Sequence, residues 1–259
     1  LASSLFLAAC GDDKSDAVVS PPPSSVSVVQ SSAIKGVIHN GRVQASRWVD
    51  GAWSPVATAM TDEAGAFSLN LQGAPAGILR LELALSDEPP TPTRMRCDAP
   101  AGCGAAAFGE WQTLTTSPAL LSWAQIDAAG DVTVMPITPL STMVVRYAES
   151  LSGVLNESAL TFARNRLAAL LGVTPESLMT RPGDVTSAAF LASASADALR
   201  VSLFSAAFSQ MSAGGDLNQT IDAFVDAFIS NNGRLLQAGN VSLADLLIAA
   251  TAVAGHVGV

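Results

Sequence analysis

The sequence predicts an α+β chain of more than one domain, an N-terminal antiparallel β-sandwich followed by a C-terminal all-α helical region, and three observations carry that expectation. Up to about residue 136, short aliphatic runs alternate every second residue and are broken by turn dipeptides. Beyond it, apolar residues recur at three- and four-residue spacing between capping residues. The third observation is size with composition: 259 residues, 49% hydrophobic and 14% charged, suffice for two ordinary cores and leave little room for wholesale disorder. The balance of 13 Lys and Arg against 22 Asp and Glu gives a formal charge of −9. That is the wrong sign for tracking a phosphate backbone, so nucleic acid is excluded as a partner.

The β half begins at Ala33. Ile34–Ile38 and Val43–Val49 read as strands joined at Asn40-Gly41, the dipeptide favoured where both central positions of a type I′ turn take positive φ. Asp50-Gly51 supplies a second turn before a strand at Val56–Met60. Phe67, Leu69 and Leu71 then alternate on one face, and Ile78–Leu85 alternates again with Arg80 and Glu82 directed to water. Leu120–Ile126 and Val132–Met135 flank a turn at Asp127–Asp131.

In the helical half, Thr138-Pro139 places an N-cap hydroxyl before a proline at the first helical position. Asn156 caps a helix that stops at Gly172, and Thr174-Pro175-Glu176 starts a short turn. Residues 186–212 form the longest periodic run, with Phe190, Ala194, Val201, Phe204, Phe208 and Met211 on one stripe. Asp216 with Gln219 has the form of a capping box, and Ser242 with Asp245 opens the last apolar helix.

The first residues, Leu1 to Ala9, are small and aliphatic and give way abruptly at Cys10 to Gly11-Asp12-Asp13-Lys14. Leu7-Ala8-Ala9-Cys10 resembles the lipobox of bacterial lipoprotein signal peptides, position for position. The resemblance implies a diacylglyceryl thioether on Cys10, cleavage before it and acylation of the new terminus; neither an initiator Met nor a basic n-region precedes the apolar run, as a fragment would read. Acyl chains at about 0.8 kcal/mol per buried methylene would then hold the protein on a membrane. Gly11, where enterobacterial sorting places Asp for inner-membrane retention, favours the outer membrane under the same resemblance. Residues 1–9 are thus read as a signal-peptide remnant and 10–32, rich in Ser and Pro with Pro21-Pro22-Pro23, as a lipidated cysteine and tether. The β-sandwich is assigned 33–136 and the helical domain 137–259.

With Cys10 carrying lipid, Cys97 and Cys103 remain as an even pair, and an oxidising envelope compartment lets them close a disulfide loop around Pro100 and Gly102. Zinc is the rival reading, but two thiols with no nearby His make an incomplete site. Gly36-Val37 and the step Thr61-Asp62-x-x-Gly65-x-Phe67 resemble the carboxypeptidase regulatory-like, or transthyretin-like, β-sandwich module over about residues 33–86. That resemblance implies a spacer or binding platform, not a catalyst. The run Ile137–Thr142, with the cysteine loop and Phe108-Gly109-Glu110 upstream, is similar to a group of proteobacterial envelope lipoproteins, and that similarity implies no activity.

Catalytic candidates are few. His39 sits beside a turn and His256 near the end of an apolar helix; no Gly-x-Ser-x-Gly elbow, Gly-x-Gly-x-x-Gly or Walker motif occurs. Asp222 and Asp226 fall on a solvated stripe, Asp197 has Arg200 to pair with, and Asp127 with Asp131 fits a hairpin turn better than a calcium loop. Four tryptophans lie in the β half, where buried rings fill a core and exposed ones stack on sugars; Trp48, Trp53 and Trp111 are the candidate ligand-binding residues. The expectation is a non-enzymatic envelope lipoprotein without cofactor or metal, anchored to the membrane by lipid and binding an envelope protein or glycan. The alternative is a polysaccharide-binding or -processing accessory protein using those tryptophans.

Overall fold

The computed structural model describes residues 28–34, 36–86, 91–213, 215–236 and 241–259, so Cys10, the lipobox and the tether up to residue 27 lie outside the described residues. Strands fill the first half and helices the second, an α+β chain. The strands are β1 (Val28–Ser32), β2 (Ile38–His39), β3 (Arg42–Val49), β4 (Ala52–Met60), β5 (Ala66–Asn70), β6 (Gly77–Ala84), β7 (Arg94–Arg96), β8 (Trp111–Thr113), β9 (Leu120–Ile126) and β10 (Val132–Val134). Among the described residues they form three antiparallel sheets, a five-stranded one ordered β10-β9-β6-β3-β4, a three-stranded one ordered β2-β7-β8, and a β1-β5 ribbon. The ribbon lies between β4 and β10, the two edges of the large sheet. That arrangement leaves neither edge as open as an isolated one would be.

Two expectations are corrected here. The expected tether over 10–32 ends sooner, since Val28–Ser32 pairs residue for residue with β5. Its end is stitched further: Ile137 N–H donates to Ser32 O at 2.8 Å and Ile34 N–H to Ile137 O at 2.9 Å. Asn40-Gly41 does not make a hairpin. β2 and β3 belong to different sheets, only Asn40 of the two has positive φ (55°), and the pair bonds sideways to Thr61, whose hydroxyl accepts from Gly41 N–H at 2.8 Å. A Cβ at Gly41 would stand 2.9 Å from Leu83 Cδ1, so any side chain there would oblige the buried leucine to shift. The type I′ geometry belongs to Asp50-Gly51, at φ 51° and 86°, which closes the β3–β4 hairpin.

β4 reads as an edge strand: Pro55, with no N–H to give, stands opposite Ser46, and the register slips between Ala45 and Ser46. Inward from it, Leu79, Leu81 and Leu83 of β6 are buried, as are Phe67 and Leu69 of β5 with Leu71 beyond it. Arg80, expected in water, is instead covered: its guanidinium lies 4.6 Å from the centroid of the Trp53 ring and 3.6 Å from Glu149.

Glu149 belongs to α1 (Pro139–Ser152), which begins as expected with Thr138 as N-cap and is closed by Ser141 into a capping box. The first turn of α1 docks on β9. Thr142 Oγ1 accepts from Leu121 N–H at 2.9 Å and Ser141 Oγ donates to Leu121 O at 2.6 Å, so two hydroxyls satisfy backbone groups that no strand reaches at that point. The buried core runs without interruption from the sheets through Leu140, Met143, Val144 and Tyr147 of α1, across the 136/137 boundary.

The remaining helices are α2 (Glu157–Leu171), α3 (Ala188–Ser193), α4 (Ala196–Met211), α5 (Leu217–Ser230) and α6 (Leu243–Val257), with a 3-10 turn at Ser177–Met179. The expected run over 186–212 is two helices, because Ala194 is extended (ψ 139°) and Ser195 caps anew through Ala198 N–H. Asp216 caps α5 by accepting from Asn218 N–H without a capping-box partner, whereas Ser242 and Asp245 do form the box. Phe208 of α4 meets Phe224 of α5 edge-on at 5.2 Å, and Phe228 meets Tyr147 of α1 at 5.0 Å, locking three helices together. No helix among the described residues is long and apolar enough to cross a membrane.

Candidate functional site

The cysteine pair is the first predicted feature to find its place. Cys97 and Cys103 are bonded, with Cα atoms 5.6 Å apart, and both are buried. The loop they close is fastened on several sides. Asp98, itself buried, accepts from Gly36 N–H at 2.5 Å and from the Ser209 hydroxyl of α4; Ala101 N–H donates to Gln210 Oε1 at 3.1 Å. Phe108, a few residues on, meets His256 of α6 edge-on at 4.5 Å, which gives that histidine a packing role.

The candidate tryptophans separate. Trp48 and Trp53 face each other across the β3–β4 hairpin with ring centroids 5.2 Å apart and planes at 71°, edge to face and not coplanar. Trp48 is 40% exposed, and Val49 and Val56 of the same hairpin are exposed as well, while Trp53 carries the Arg80 guanidinium on its ring. Trp111 lies on the three-stranded sheet, with Arg94 and Arg96 at 5.3 and 4.8 Å from its ring centroid. His39 and Trp111 stand on strands that flank β7, yet their rings are 6.1 Å apart, less than two strand spacings of about 4.8 Å, so the indole leans across β7. It holds two guanidinium groups in place. Arg94 donates to His39 Nδ1 at 3.1 Å, and Arg96 pairs with Asp184 at 3.5 Å. Trp123, the fourth, is buried.

The carboxylates sit in turns, in an ion pair and on an exposed helix face. Asp127 Oδ1 accepts from Ala129 and Asp131 N–H at 2.8 and 2.9 Å, closing the β9–β10 turn. Arg200 lies 3.9 Å from Asp197, which also accepts from Ser177 Oγ at 2.7 Å. Asp222 and Asp226 are exposed on α5. Among the described residues no group of three or more His, Cys, Asp or Glu side chains stands close enough to hold a metal ion.

Two features escaped sequence reasoning. Glu149 holds its proton to higher pH than an ordinary carboxyl because burial disfavours its charge, an effect that Arg80 and Arg146 oppose only in part. Its 3.6 Å approach to Arg80 is an ion pair too long for a hydrogen bond. The second is a cavity of about 580 Å³ lined by Gln30, Ser31, Met60, Asp62, Phe67 and Met179, where the β1-β5 ribbon meets the end of β4 and the 3-10 turn. Its charged rim is tied to backbone: Asp62 Oδ1 accepts from Ala64 and Ala66 N–H, each at 2.8 Å, and Arg181 donates to Ala64 O at 2.5 Å. Its lining mixes polar and apolar side chains and is open to solvent. No local motif announces it, since its walls come from segments more than a hundred residues apart.

No family model matches this chain, and neither a curated protein nor a solved structure does.

Proposed function

We propose that this chain is the folded body of a lipid-anchored bacterial envelope protein, held at the outer membrane through Cys10, and that it acts by binding or scaffolding and not by catalysis. The observation that supports the envelope reading is the closed Cys97–Cys103 cystine, because disulfides persist in oxidising compartments and are rare where thiols are kept reduced. The β half serves as a sandwich-type platform of the carboxypeptidase regulatory-like kind. The test is metabolic labelling of the full-length protein with an alkyne palmitate analogue, run beside thiol alkylation without reductant. Label on the native chain and none on Cys10→Ala, with Cys97 and Cys103 refusing the alkylating agent, is the expected result. An unlabelled native chain, or two free sulfhydryls, overturns it.

A second reading has its own support: Trp48, exposed at the hairpin beside Trp53, offers a ring face for a sugar. Glycan-array binding that disappears in Trp48→Ala is expected on that reading. An array without signal, or a signal indifferent to the substitution, removes it.

A further inference from the structure

The last helix has two sides with apolar character, and only one is covered. Leu246, Ala249, Ala250 and Val253 of α6 are buried, with α6 packed along α4. On another side Asp245, Ile248, Ala252 and Gly255 follow at steps of three, four and three, and all four are exposed. That is the spacing of a helix-pairing seam, in which large and small side chains of one helix interlock with those of a second. Ile248 is 69% exposed, more than any other large apolar side chain among the described residues. A stray exposed aliphatic is ordinary. This one stands in a repeating seam beside a groove of about 290 Å³, which α6 and the end of α4 line with Gln210, Met211, Asp245, Ile248, Ala249 and Ala252.

The seam is complementary to itself. Ile248 protrudes and Ala252, one turn on, leaves room, so a two-fold axis level with Ala250 sets each Ile248 against the Ala252 of a second copy. The same axis matches the polar ends. Asp245 and His256 are eleven positions apart, about three turns, and so lie on one side of α6; their midpoint falls within one residue of Ala250. An antiparallel copy therefore brings each Asp245, an acceptor, to the other's His256, a donor. Asp245 takes both bonds from Ser242 on Oδ2, which leaves Oδ1 for this contact. A parallel copy would set Asp245 against Asp245. A lipid surface is the other cover for an apolar helix side, yet α6 holds no Lys or Arg and the chain carries a charge of −9, which an anionic bilayer repels.

We propose that two copies of this chain associate through α6, antiparallel about a two-fold axis level with Ala250, with each Ile248 entering the groove beside the other's Ala252 and each Asp245 bonded to the other's His256. One pair of helices of about four turns buries less than the roughly 1,200–2,000 Å² of a standard interface, so the dimer is weak, forms in the micromolar range and is favoured where copies are crowded. It requires neither lipid at Cys10 nor a sugar at Trp48, so its failure would leave those readings standing.

The test is sedimentation equilibrium of the full chain carrying Cys10→Ala, which takes no lipid, over a range of concentrations. A monomer–dimer equilibrium is expected. Ile248→Ser weakens it about 30-fold or more, since symmetry deletes the side chain twice, and His256→Glu, which sets acid against acid, weakens it about ten-fold. Leu247→Ser removes an apolar side chain that is 45% exposed but stands about a third of a turn round the helix from the seam, and it leaves the equilibrium unchanged. Should Ile248→Ser fail to fold, a cross-link decides: mixing the Ile248→Cys chain with the Ala252→Cys chain and oxidising joins the two, whereas mixing Leu247→Cys with Ala252→Cys does not. A chain that stays monomeric at every concentration overturns the proposal, whether or not it sediments with phosphatidylcholine vesicles. A dimer that Leu247→Ser weakens as much as Ile248→Ser overturns it too.

Discussion

The hydroxyl of Thr142 stands 2.9 Å from the amide nitrogen of Leu121 and accepts its hydrogen, filling the place of a strand on the side of β9 that β10 no longer reaches. Thr142→Val keeps the shape and removes the acceptor, leaving a buried N–H unsatisfied. A loss of about 1–3 kcal/mol in urea unfolding is expected. Thr161→Val, at an exposed position of α2, should change stability by less than about 0.5 kcal/mol.

The cystine closes a short loop, with Cys97 and Cys103 six positions apart. On the chain-entropy argument such a loop contributes about 2 kcal/mol through the unfolded state. Replacing both cysteines by alanine should lower the urea midpoint accordingly. Because Asp98 and Ala101 are bonded to α4, the loss should also appear as faster amide exchange in residues 97–110.

Glu149 gives a pH signature. Its folded-state proton affinity is raised above the ordinary value of 4.5 by burial, so between that value and its raised one the folded state binds more protons than the unfolded. Stability therefore falls as pH rises through that window, the reverse of a salt-bridge carboxylate with a depressed value. Glu149→Gln, which cannot ionise, should flatten this descent in a series of melting temperatures from pH 4 to pH 7. The variant should compare more favourably with the native chain at pH 7 than at pH 4.

Two glycines with positive φ should respond unequally to alanine. Gly51, at φ 86° in the β3–β4 turn, has nothing within 4 Å of where a Cβ would stand, and its substitution should cost about 1 kcal/mol from backbone conformation alone. Gly36, at φ 53°, would place a Cβ 1.9 Å from Arg96 O, which no rotamer relieves. Gly36→Ala should cost several-fold more, as the difference in chemical-denaturation midpoints reads directly.

The division into a strand half and a helix half was legible because alternation in Leu79, Leu81 and Leu83 and the three- to four-residue spacing through Leu160, Ala163 and Leu167 are local properties of the chain. Caps at Thr138, Asn156 and Ser242 were legible for the same reason. Asn40-Gly41 misled because a dipeptide reports tolerance for positive φ and not which strand lies beyond it; the connection is decided by Thr61, twenty residues away. β1 was hidden by its serines, since a strand that is completed by β5 and by Ile137 need carry no strong pattern of its own. The clefts were the least legible part. Gln30 and Arg181 line the same cavity from distant parts of the chain, a proximity that no local spacing encodes.

The bonding of β1 determines how the body answers a pull. A pull applied along the axis of β1 would strain its rungs to β5 together, in shear, and not peel them one by one. Beyond Ser32 the load passes through Ile137 to the foot of α1 and so to the middle of the molecule. A body tethered at that end, tugged by flow or by a partner, would resist as a unit before any single element gave way.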